Sequence, residues 1–154
     1  HQWFGHGIGN GVNRDRAFLV ESMTKYLELV LLEQEYGAEA AAALVDYERE
    51  RFRLQRANNQ LEPLSLIDAR ASFEMYSGAT VIFSQLRKRV GDKPIVDALK
   101  TIWHQHKYPQ VPATSMDFIR ALKHQLGSKW HDQIDKLFLT PLTIDSEFMQ
   151  TGDE

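Results

Sequence analysis

The chain contains no cysteine, which excludes disulfides, thiolate metal sites and cysteine nucleophiles. It also lacks any excess of positive charge. Eighteen lysines and arginines stand against 21 aspartates and glutamates, a net charge of −3, with the signs interspersed. A nucleic-acid footprint needs a basic patch or stripe, so no nucleic-acid partner is expected. Long hydrophobic runs are missing as well. Stretches such as Leu29 to Leu32 fall far short of the roughly 20 apolar residues that span a bilayer, so this chain should carry no membrane segment. No signal-peptide pattern, low-complexity tract or regular repeat is present.

What remains is ordinary globular material. An apolar fraction of 43% and a charged fraction of 25% sit close to the averages for folded domains. A chain of 154 residues buries about two-thirds of the surface its unfolded form exposes, enough for one core. The opening HQWFGH carries no methionine, and we expect it to continue a longer polypeptide.

Apolar residues recur at helical spacing almost throughout, which predicts an all-α array of about six helices over residues 1 to 140. Asn13 is expected to cap a first helix bearing Leu19, Met23, Tyr26, Leu27 and Val30, closed by Gly37. An alanine-rich second helix over 38 to 57 carries Leu44, Tyr47 and Leu54, and Asn58, Asn59 and Pro63 break it. The third runs from Ser72 to Val90 with Ala79, Phe83, Leu86 and Val90 on one face, and Gly91 ends it. Asp92 is expected to cap the fourth, with Pro94 in its first turn and Val96, Leu99 and Trp103 following. Thr114 and Asp117 read as a capping pair for a fifth helix through Phe118, Ile119 and Leu122. Trp130, Ile134 and Leu137 mark the sixth, and residues 141 to 154 form an acidic tail or linker. The glycine-rich GHGIGNGV, residues 5 to 12, reads as a loop.

Taken one at a time, the polar candidates are modest. Glu21 falls nearly opposite Leu19, Met23 and Val30 on the first helix and reads as a solvated carboxylate with Lys25 as its i to i+4 partner. His104 and His106 are two apart and point to different sides of a helix, so they do not share a metal easily. His124 and His131 straddle Gly127 and are expected at the surface. The run ERERFRLQR, residues 48 to 56, reads as a solvated helix face.

The combination is more informative. HQWFG, a glycine-containing loop and then a helix reading ESMTKYLE resemble the zinc aminopeptidases of the alanyl (membrane alanine) aminopeptidase family, in the gluzincin class. In that family H-E-x-x-H runs directly into Q-W-F-G, and a glutamate from the next helix completes the metal site. The resemblance implies that His1 and Glu21 are zinc ligands, with Tyr26 and Glu28 following Glu21 as in the family. Downstream, YSGATVIFSQLRKRVGDKPIVDALKTIWHQHKY, residues 76 to 108, is similar to the stretch that carries the family's oxyanion-stabilising tyrosine, and it implies that role for Tyr76.

The match departs from the family in register. His1 and Glu21 are one residue further apart than usual, and Tyr76 stands two residues before Gly78 where the family's tyrosine stands three before. His6 and the E-S-x-x-x-Y form look more like a bacterial branch in which peptidase domains can be joined to membrane transporter permeases, implying a membrane-linked parent. The implied fold is the helical C-terminal lobe of a thermolysin-like catalytic domain.

The implied function is zinc-dependent removal of N-terminal residues from a peptide substrate. The family's first histidine ligand and its general-base glutamate are expected upstream of His1, so the chain alone is expected to be inactive. Two alternatives stay open at this stage, a non-catalytic helical interaction module and a degenerate peptidase homologue.

Overall fold

The structure, a computed structural model, describes residues 17 to 144. Over that range it is all-α, with six α-helices. Helix α1 spans Met23–Tyr36, α2 Ala38–Ala57, α3 Ala79–Val90, α4 Lys93–His106, α5 Ser115–Leu126 and α6 His131–Phe138. Two π-helical turns, Phe18–Ser22 and Glu74–Gly78, lead into α1 and α3 respectively. Among the described residues the only β-type pairing is an isolated antiparallel bridge between Ser65 and Pro141.

The ends of these helices follow local chemistry. Gly37, Gly91 and Gly127 all adopt positive φ, at 88°, 74° and 81°, a region that a Cβ disfavours. They stop α1, α3 and α5 where the sequence places the stops. Thr114 and Asp117 form a reciprocal capping box. The Asp117 amide donates to Thr114 Oγ1 at 3.3 Å, and the Thr114 amide donates to Asp117 Oδ2 at 2.7 Å. Asp92 occupies the N-cap position of α4, but its side chain makes no cap bond. Its carboxylate turns to Arg87 and Tyr26, correcting the capping role expected for it.

Helix α3 is central: every residue from Ala79 to Leu86 is buried, Thr80, Ser84 and Gln85 included. Phe83 lies at the middle of an aromatic cluster, with ring centroids 5.2 Å from Tyr26, 5.6 Å from Phe138, 6.1 Å from Phe18 and 6.3 Å from Phe118. Offset and edge-on rings at these separations add to the gain from burial itself. Leu142 and Ile144, beyond α6, are also buried against this core.

Two expected faces are rotated. On α2 the buried stripe is Ala41, Val45, Glu48 and Phe52, while Tyr47 and Leu54 are exposed. The helix turns so that Phe52 meets Phe73 at 5.4 Å, and one carboxylate is carried inward with it. On α4 the buried residues are Ile95, Ala98, Leu99 and Ile102, with Val96 and Trp103 at the margin.

Candidate functional site

The two π-helical turns pack against each other, and each contributes one residue to a polar contact between them. Glu21 lies in the first turn and Tyr76 in the second. The Tyr76 hydroxyl donates to Glu21 Oε2 at 2.6 Å, across 55 residues of sequence. Beside it, Ser22 Oγ donates to the carbonyl of Met75 at 2.9 Å, tying the same turns together a second time. A π-turn widens the helix locally and breaks the regular backbone ladder, and such turns recur at functional sites. Both register departures noted in the sequence involve a residue seated in one of these turns.

The contact shifts the titration of the phenol upward. With the Glu21 carboxylate accepting its hydrogen bond, and burial and the Glu21 charge adding to the effect, Tyr76 is pushed up from 10.0 to about 12. A phenol at its ordinary value is already protonated at neutral pH, so the effect of the contact is to carry the O–H form further into the alkaline range. Both residues remain partly exposed, so the pair stands at the surface of the helical array.

Lys25, expected as the partner of Glu21, pairs with Glu28 at 2.5 Å and approaches Glu48 at 3.4 Å. His1, the other implied zinc ligand, lies outside the described residues, as do His6, Asn13 and the glycine-rich loop. A catalytic zinc takes three protein ligands and leaves a position for water. Among the described residues no group of three histidine, aspartate or glutamate side chains converges on one point. Glu21 alone fits a share in such a site. It offers a carboxylate oxygen donor of the right chemistry, oriented by a buttressing hydroxyl as metal-binding carboxylates commonly are. His106 is engaged at the far end of α4, where Nδ1 lies 2.8 Å from the Val111 carbonyl.

Three residues around the site escaped sequence reasoning. Glu48 and Arg56 belong to the run expected to be solvated. Yet Glu48 is 3% exposed, and Arg56 lies over the rings of Phe52 and Phe73 while pairing with the buried Glu74. Ser77 is fully buried next to Tyr76. A signal for Glu48 was available, because it continues the i, i+4, i+7, i+11 series Ala41, Val45, Glu48, Phe52.

A second feature is a groove of about 430 Å³ between α1, α2 and α3, floored by Leu29, Ala41 and Val45. Its rim charges are largely paired: Arg87 with Asp92 at 2.6 Å and Glu33 at 2.5 Å, and Arg49 with Asp46 at 2.8 Å. Among the described residues no helix is long and apolar enough to cross a membrane. Comparison of the chain with protein-family models, with curated proteins and with solved structures found no match.

Proposed function

We propose that this chain is the helical part of the catalytic domain of a zinc-dependent aminopeptidase, with Glu21 as a metal ligand and Tyr76 as the oxyanion-stabilising hydroxyl. One observation carries the reading. Glu21 and Tyr76, two of the three site residues that the family resemblance singles out, lie 55 positions apart and meet at 2.6 Å. They do so in paired π-turns, where a bland surface carboxylate would have met its helical neighbour.

In this reading His1 and Glu21 are two of three ligands. The reading requires the remaining histidine and the general-base glutamate to be supplied by an H-E-x-x tetrapeptide immediately before His1 in a longer parent. When bound, zinc in a site of this class acidifies water and polarises a carbonyl. Glu21 contributes an anionic donor, held by Tyr76 while metal and substrate are absent. Tyr76 has a single O–H proton, so in this reading the hydroxyl would have to leave Glu21 and turn to the scissile carbonyl oxygen as charge builds there. The substrate is a peptide with a free N-terminus. The membrane link implied for the parent stays part of the proposal, carried by the resemblance alone.

The parent gene supplies the test. Reading H-E-x-x immediately before His1 supports the peptidase. Any other tetrapeptide sinks it in favour of a non-catalytic helical module or a degenerate homologue. On the same reading, the chain alone shows negligible turnover of an aminoacyl-arylamide with zinc added, and chelator-sensitive turnover by the chain would contradict the assignment of the base to the upstream segment.

A further inference from the structure

Behind the Glu21–Tyr76 contact lies a polar system that the proposed chemistry does not use. Glu48 points into the core from α2 and is 3% exposed. An ionised carboxylate in such a place is costly unless it is paired and hydrogen-bonded. Ser77 Oγ donates to Glu48 Oε2 at 2.6 Å, Lys25 Nζ lies 3.4 Å from Oε1, and Arg51 Nη1 lies 3.5 Å from Oε2. Two of these partners adjoin the site directly. Ser77 follows Tyr76 in the chain, and Lys25 is four residues, about one helical turn, beyond Glu21. Glu48 thus grips a neighbour of each member of the pair.

Stability alone does not account for this arrangement. A well-packed apolar side chain of similar volume usually serves a core as well as a buried ion pair or better. An apolar residue gives no direction, whereas a carboxylate beside Lys25 gives the Ser77 hydroxyl a directed acceptor. Ser77 is fully buried, away from bulk solvent. The opposite end of the same turn is held too: Glu74, also 3% exposed, pairs with Arg56, whose guanidinium sits 5.5 Å from the Phe52 ring centre and 5.0 Å from that of Phe73. Tyr76 lies between two anchored residues in a π-turn, where the backbone departs from the α-helical ladder.

We propose that Glu48 is a positioning residue that acts through Ser77 to hold the turn 74–78, so that the Tyr76 hydroxyl is aimed at Glu21. Its meaning for chemistry rests on the aminopeptidase reading. The positioning itself is measurable in this chain with neither metal nor substrate.

The test is carbon-13 NMR at neutral pH on the chain labelled at tyrosine Cζ, whose shift reports the hydrogen bond of each phenol, with Tyr76→Phe to assign the signal. Glu21→Gln sets the displacement expected when the carboxylate is lost. Ser77→Ala and Glu48→Leu should each move the Tyr76 signal in that same direction. They should leave unmoved the signal of Tyr26, whose hydroxyl is held by Asp92 beyond the other end of α3, and should keep the helical circular dichroism. A Tyr76 signal unchanged in Ser77→Ala or in Glu48→Leu overturns the proposal, and so does an equal movement of Tyr26, which would mark general loosening. Should Glu48→Leu fail to fold, Glu48→Met takes its place under the same criterion. None of these outcomes depends on whether the parent binds zinc.

Discussion

At the scale of single residues, the hydrogen bond from Tyr76 to Glu21 makes a pH prediction whose sign can be worked out. Tyr76 is raised from 10.0 to about 12, first by that hydrogen bond and then by burial and the Glu21 charge. The folded state therefore favours the neutral phenol. Its contribution is complete below about pH 10 and is lost as pH climbs toward 12. Tyr26 is raised in the same direction, by burial first and then by Asp92. Asp92 runs the other way. Burial raises its pKa, but hydrogen bonds from Arg87 and Tyr26 outweigh burial and lower it. Its share of stability is present above 3.8 and is lost as pH falls below that value. Urea denaturation across the alkaline range should show Tyr76→Phe losing less stability between pH 10 and 12 than the unsubstituted chain. Equal losses in the two would mean that the phenol is not held by the carboxylate. The residue types of this pair were legible in the sequence, but their contact was not. Pattern reasoning sees neighbours at i+3 and i+4, and so offered Lys25 to Glu21, whereas Tyr76 comes from 55 residues away.

At the scale of elements, signals that act through the backbone proved the most readable. Glycines 37, 91 and 127 end their helices at positive φ, and the Thr114–Asp117 pair forms the reciprocal box its spacing predicts. Thr114→Ala removes a side-chain acceptor from the start of α5 and should cost about 1 kcal/mol, as loss of such caps typically does. A thermal or urea melt reads it, and no change would mean that water replaces the cap. Asp92 shows why a cap can be misread. Its type and position suit the role, but Arg87 and Tyr26 offer its carboxylate charged and buried partners that a lone backbone amide does not match. The two π-turns left no trace in hydrophobic period, because each lasts about one turn and is stabilised by tertiary contacts: Ser22 to Met75, Tyr76 to Glu21 and Ser77 to Glu48. Glu48 was missed for a related reason. Its charged neighbours suggested a solvated face, while the packing of Phe52 on Phe73 sets which side of α2 faces inward.

At the scale of the whole molecule, the aromatic cluster around Phe83 and the buried length of α3 hold the two π-turns in a fixed relation. Phe18 opens the first turn and stacks 6.1 Å from Phe83, and the second turn runs straight into α3. The fold thereby converts distant residues into one preformed contact. The all-α class was legible because helical periodicity extends over most of the chain. The rotation of α2 and α4 was not, since it depends on which neighbours each helix meets. The central claim is that Glu21 is a metal ligand in the parent protein. Its most direct test is the zinc content of the polypeptide extended upstream of His1, purified with and without Glu21→Ala. The account predicts about one zinc per chain, lost in the variant. Equal zinc in both proteins, or none in either, would contradict it.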